Sequence, residues 1–250
     1  MPGHWRVIDG GAGTLRVYET PETPATSSGS VLILCHELPR DPDRATDTDR
    51  GYPALADRLS EECACRVVVP MFRGTSGSAG DFSANGWLED LSSVVDAEVG
   101  PDGRLWLIGF GLGGAIALRT AERDQRVSGV ASIAGPADLT AWISNREKVF
   151  TRCRRSGVIS TEGFPPDVEA WAAEIVALAP LDAAAHLGAR PLLVVHGSDD
   201  AEVPVAAARA LSEAATDGAV DLRIVPAAGH WLRADPRVVA TLVGWIERHR

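Results

Sequence analysis

The stretch Leu105-Trp106-Leu107-Ile108-Gly109-Phe110-Gly111-Leu112-Gly113-Gly114-Ala115-Ile116-Ala117-Leu118-Arg119 decides how the rest of the chain is read. Leu105 to Ile108 form a continuous apolar run, the pattern of a strand buried on both faces. Ala115 to Arg119 favour a helix. Between them stand four glycines in six residues, Gly109, Gly111, Gly113 and Gly114. Glycine is the residue that permits a sharp, strained turn between two such elements. The middle of the turn is Gly111, which offers no side chain to any chemistry.

Similar apolar runs occur at Val31–Leu34, Arg66–Pro70, Val130–Ile133, Pro191–Val195 and Leu222–Val225. Two alternating segments, Trp5–Asp9 and Thr14–Glu19, flank Gly10-Gly11-Ala12-Gly13 and read as an opening antiparallel hairpin. Amphipathic stripes separate the later runs: Trp87, Leu88, Leu91, Val94 and Val95, then Val238, Val239, Leu242, Trp245 and Ile246. Strand and helix alternate, so the expected fold class is α/β, a mostly parallel sheet flanked by helices in one domain over residues 1–250. The interval 137–188 breaks the rhythm. It holds no strand candidate but two helical stretches, Asp138–Ser156 and Pro166–Leu187, expected to form a small helical lid beyond the strand ends. The polar stretch Pro21–Ser30 and the aspartate-rich segment Asp41–Asp49 are expected as loops. The latter lacks calcium-loop spacing.

Composition excludes several classes. The net charge of −10 argues against nucleic acid or an anionic membrane as the main partner. No apolar run has the length of a membrane span, and the first residues lack the pattern of a signal peptide. Cys35, Cys63, Cys65 and Cys153 suggest neither a disulfide scaffold nor a metal site, so a reduced, cytoplasmic protein without metal or organic cofactor is expected.

Four further segments stand at strand ends in a telling order. Cys35-His36-Glu37-Leu38-Pro39 has the form of an H-G-x-P segment, with Glu37 in place of glycine. Arg73-Gly74-Thr75-Ser76-Gly77-Ser78 is similar to an R-G-x-G-x-S loop. His196-Gly197-Ser198-Asp199-Asp200-Ala201-Glu202-Val203-Pro204 follows H-G-x-x-D-x-x-V-P and selects Asp200 over Asp199. Ala227-Ala228-Gly229-His230 supplies a G-H pair after the last strand. Together with the glycine-rich turn, which has the form G-x-S-x-G with Gly111 at the serine, these resemble the α/β-hydrolase superfamily from about residue 30 to 235. The double glycine of the turn and Glu37 also resemble the dienelactone hydrolases, whose turn reads G-x-C-x-G-G. The acid here lies 89 residues after the turn, much farther than in that group.

The resemblance implies an acid–base pair of Asp200 and His230, an oxyanion hole from the backbone of Leu38 and Leu112, and a vacant nucleophile position at Gly111. Glu37, Phe110, Trp142 and Trp231 are candidate pocket residues, with Phe164 beside them. Cys35 is a candidate substitute nucleophile. His196 reads as a structural strand-end histidine, and Asp200 could simply cap the helix that follows.

Two functions from different classes follow. The first is a weakened ester or lactone hydrolase in which Asp200 orients His230 and His230 activates water. The second is an inactive relative that binds a small molecule or signals to a partner. A third reading takes Gly109, Gly111 and Gly114 as a dinucleotide fingerprint, with Asp138 as its acid. The expected partner is a small molecule in each case. In the lid, Arg146, Lys148, Arg152, Arg154 and Arg155 form a solvated face or meet a carboxylate or phosphate.

Overall fold

A computed structural model describes residues 2–22, 31–39 and 42–249, the stretch 42–47 by its backbone alone. Most of the expected polar stretch 21–30 lies outside the described residues. The opening hairpin is β1 (His4–Gly10) and β2 (Gly13–Glu19), with His4 opposite Glu19 and Gly10 opposite Gly13. The apolar runs become β3 (Val31–Cys35), β4 (Arg66–Met71), β5 (Leu105–Phe110), β6 (Val127–Ile133), β7 (Leu192–Gly197) and β8 (Val220–Val225). They join one eight-stranded sheet in the order β1-β2-β4-β3-β5-β6-β7-β8. Only β1–β2 and β2–β4 pair antiparallel; every other pair is parallel.

The continuous apolar runs divide between two cores by simple alternation, as residues on a strand must. Leu105 and Leu107 of β5 join Ile33 and Cys35 of β3 on one face. There they meet α2 (Ala84–Glu98), α3 (Leu112–Arg123) and α8 (Ala206–Ala214). Trp106, Ile108 and Phe110 face the other side, where α1 (Pro42–Cys63) and α9 (Pro236–His249) cover the sheet. Trp106 and Trp245 meet edge to face there at 5.1 Å. Of the segment expected as a loop at 41–49, residues from Pro42 onward instead open α1. Its amphipathic pattern was obscured by the aspartates that lie on its first turns.

The interval between β6 and β7 contains four helices where two were expected: α4 (Thr140–Ile143), α5 (Arg146–Ser156), α6 (Val168–Val176) and α7 (Pro180–Ala185). Each break has a local cause. Asn145 caps α5 by accepting from the Lys148 N–H at 3.1 Å. Ala179 takes a left-handed conformation, φ 38°, directly before Pro180, which opens α7 at a position proline favours.

The insert is tied to the body by named bonds. The Asp81 carboxylate accepts from the N–H of Ser160 at 2.6 Å and of Thr161 at 3.0 Å. The Phe82 N–H donates to the Val158 carbonyl, and Trp171 Nε1 donates to the Phe82 carbonyl. Arg119 on α3 reaches the carbonyls of Leu178 and Ala179. Burial alone would raise Asp81, but the bonds from Thr161 and Ser160 hold its carboxyl below the ordinary value. Replacing Asp81 by alanine strands two amide donors, so Asp81→Ala is expected to cost about 1–3 kcal/mol in chemical denaturation. Amide exchange at Ser160 and Thr161 should quicken in the same variant while β5 and β6 stay protected.

Candidate active site

The segments singled out in the sequence converge beyond the carboxyl ends of β3, β5, β7 and β8, where ligands bind in open α/β sheets. At the centre is the turn from β5 into α3. Gly111 sits there with φ 51° and ψ −123°, its N–H bonded to the Ile133 carbonyl. The neighbouring glycines permit close approach. A Cβ on Gly109 would lie 2.3 Å from the Gly113 carbonyl oxygen, and one on Gly113 would lie 2.4 Å from that of Cys35. A Cβ on Gly114 would come within 2.8 Å of Ser132 Oγ. Packing thus accounts for Gly109 and Gly114 of the fingerprint pattern.

Gly111 differs. A Cβ placed on it would stand 3.6 Å from His230 Nε2 and 3.2 Å from Glu37 Cβ. The imidazole therefore faces the position that a side chain at 111 would occupy. His230 Nδ1 lies 2.8 Å from Asp200 Oδ2, and the Asp200 side chain is fully buried. Asp200 Oδ1 accepts from the backbone N–H of Glu202 and Val203 at 2.8 and 2.9 Å. His196 is also fully buried, with Nε2 at 2.9 Å from the Val203 carbonyl and 3.2 Å from Asp200 Oδ2. Both neighbours accept, so His196 Nε2 carries the proton. Asp200 thus holds its own loop and the His230 ring together.

Leu112 opens α3, where first-turn N–H groups have no acceptor within the helix. Leu38 follows β3 on the other side of the turn, and both leucines line the cavity. Between them, Glu37 Oε1 faces Arg233 Nη1 at 3.5 Å. The Arg233 guanidinium lies over the Tyr52 ring at 4.9 Å, and the Glu37 N–H donates to the Tyr52 hydroxyl at 3.1 Å. Burial, followed by the Glu37 charge, pushes the Tyr52 phenol up.

The site opens into a cavity of about 680 Å³. Its walls include Glu37, Gly111, Glu202, His230 and, from the insert, Leu139, Trp142, Arg152 and Leu181. Glu202 Oε2 is 3.7 Å from His230 Nε2, a second carboxylate beside the ring that the sequence reading passed over. Arg233 was also missed, since nothing in the residues after Gly229-His230 marks it as a partner of Glu37.

Three expected pocket residues do not line the cavity. Phe110 alternates onto the opposite face of the sheet and packs against Tyr52. Trp231 stands edge to face with His230 but is 39% exposed. Phe164 packs against the core. Cys35 is fully buried, and burial drives its thiol far above the ordinary value, so it stays protonated and enclosed. Arg73 of the glycine-rich loop makes a forked pair with buried Asp90. Among the described residues, no group of three or more His, Cys, Asp or Glu is arranged to hold a metal ion.

The profile of the alpha/beta hydrolase family matches residues 45–242 of the chain. The chain belongs to the α/β-hydrolase family. No curated protein matches this α/β-hydrolase in sequence. Among solved structures it is similar to a meta-cleavage product hydrolase from Pseudomonas fluorescens IP01, with 19% identity over 98% of both chains and a TM-score of 0.69. A thermophilic esterase from Thermogutta terrifontis shares 23% identity over 99% of this chain and 100% of its own, with a TM-score of 0.68. An alpha/beta hydrolase from Penicillium sp. sh18 shares 18% over 100% and 99%, with a TM-score of 0.73. At these identities the likeness is one of fold.

His36 offers a test of the oxyanion segment's packing. Its Nε2 accepts from the Phe72 N–H at 3.1 Å, so Nδ1 carries the proton and donates to the Glu37 carbonyl at 2.8 Å. Burial pushes its pKa down to about 4, opposed by the Glu37 bond and aided by the Arg233 charge. The unfolded chain takes up this proton first, so stability is full above pH 6.5 and is lost as pH falls toward 4. The shift corresponds to roughly 3 kcal/mol. The denaturation midpoint should fall between pH 7 and 5 in the native chain and fall less in His36→Gln, with the slope unchanged.

Proposed function

We propose that this α/β-hydrolase cleaves esters or lactones by direct attack of water, with His230 as base and Asp200 as its orienting acid. The observation that carries this reading is the aim of His230 Nε2 at the position above Gly111, with the Asp200 bond intact. A water in that position lies within reach of Nε2. His230 takes one proton from it, and the oxygen adds to the substrate carbonyl carbon. The carbonyl oxygen becomes an oxyanion opposite the backbone N–H groups of Leu38 and Leu112, donors of the kind that stabilise such charge. When the intermediate collapses, the bond to the alcohol oxygen breaks. His230 Nε2 then returns its proton to that oxygen. No acyl-enzyme forms, since Gly111 has nothing to acylate.

The cavity suits a small organic substrate, being of the usual size for a ligand pocket and walled chiefly by apolar side chains. We read the insert from 137 to 188 as a lid, because its residues supply one wall of that cavity. The second reading, a binding protein without turnover, is favoured by Glu37 and Glu202. Both place acidic side chains on the cavity wall, Glu202 with its carboxylate 3.7 Å from His230 Nε2, where a developing negative charge would meet them.

The two readings separate in one assay. With p-nitrophenyl butyrate, the native chain is expected to show slow turnover without a pre-steady-state burst. His230→Ala and Asp200→Ala should lower that rate by about 10²–10⁴. Gly111→Ser is expected to raise turnover and to introduce a burst of nitrophenol, at a stability cost of about 1–3 kcal/mol for the left-handed backbone and the tight approach to Glu37. Turnover indifferent to His230→Ala would overturn the hydrolytic reading and leave binding in its place.

A further inference from the structure

Five charged or titratable side chains line the cavity: Glu37, Asp138, Arg152, Glu202 and His230. Four have partners. Glu37 faces Arg233, Glu202 and Asp200 flank His230, and Asp138 accepts from the Thr140 N–H at 2.9 Å. Arg152 makes no hydrogen bond or ion pair with any described residue, although it is half-buried on α5.

The rest of the insert's basic cluster behaves differently. Arg146 pairs with Glu169, and Arg154 donates to the Phe164 carbonyl at 2.9 Å. Lys148 and Arg155 are exposed to water and need no partner. Of the five, Arg152 alone is among the residues that line the cavity. A guanidinium is charged at every relevant pH and presents five donors in a rigid fork. Partly buried on a cavity whose wall also includes Leu139, Trp142 and Leu181, it has no protein acceptor among the described residues.

We propose that Arg152 binds a carboxylate carried by the ligand, so that the cavity takes a molecule with a reactive carbonyl at one end, an apolar middle and a carboxylate at the other. This rests on the reading of the cavity as a substrate site and names the substrate class: half-esters, or lactones bearing an acid. A carboxylate matches the guanidinium fork with two parallel bonds. A phosphate dianion fits less well, because Glu37, Glu202 and Asp138 share the cavity and repel a second negative charge more strongly.

The test is equilibrium binding of stable mimics, measured by calorimetry. The probes are the N-ethyl half-amides of glutaric, adipic and suberic acid, each compared with its neutral diamide. The native chain is expected to prefer the acid by at least about tenfold at the best chain length, and to lose part of that preference as salt rises. Arg152→Ala should reduce the preference below about twofold at an unchanged melting temperature, and Arg152→Lys should keep a fraction of it. No preference at any length, no binding of any probe, or a preference that survives Arg152→Ala would overturn the proposal. The probes are amides and report binding alone. A carboxylate preference beside ester turnover indifferent to His230→Ala would therefore keep the subsite and remove the hydrolytic reading. The reverse result would do the opposite.

Discussion

A carboxylate shut away from water must be met by donors, and Asp200 imposes that demand on everything around it. Leaving such a charge unpaired costs several kcal/mol. Asp200 escapes that cost through the N–H groups of Glu202 and Val203, the His230 ring and the His196 ring. The first two bonds curl the loop after β7 around the carboxylate. The third draws in the loop after β8, and the fourth ties the carboxylate to the end of β7 itself. The placement of His230 is therefore part of the fold's own hydrogen-bond inventory. It does not depend on what stands at position 111, so the Asp200–His230 contact is complete beside a residue with no side chain.

The glycine turn carries a second constraint, and its members are not equivalent. At Gly109 and Gly113 a Cβ would strike backbone atoms at 2.3–2.5 Å, a clash that no rotation can relieve. At Gly111 the nearest atom is Glu37 Cβ, at 3.2 Å. That contact is tight but involves a side chain, so the backbone would accept another residue at a cost in strain. The Glu37 side chain after β3 crowds the space that a side chain at 111 would need.

Much of this was legible before any coordinates. Continuous apolar runs marked the strands, and the resemblance of His196–Pro204 to the family segment pointed past Asp199 to Asp200, which meets His230. Other features escaped for physical reasons. A run buried on both faces carries no signal for which face a residue takes, so Phe110 was read into the pocket when alternation sends it to the opposite core. Aspartates on its first turns hid the start of α1. The insert's breaks at Asn145 and Ala179 depend on capping and a left-handed residue, which periodicity alone does not register. Arg233 and Glu202 gained their meaning from neighbours about 30 to 200 residues away, a distance no local pattern spans.

Glu37 then decides how hostile the site is to catalysis. On the proposed reading, a free carboxylate beside Leu38 and Leu112 would oppose the charge that hydrolysis creates. Glu37 is not free. Its oxygen lies 3.5 Å from Arg233, with the two side chains only 12% and 16% exposed, so their attraction is screened far less than that of a surface pair. Arg233 is in turn fixed against the Tyr52 ring, whose hydroxyl accepts the Glu37 N–H. The positive charge is therefore held in place where it mutes the carboxylate. What remains near Leu38 and Leu112 is closer to a neutral dipole than to a free negative charge.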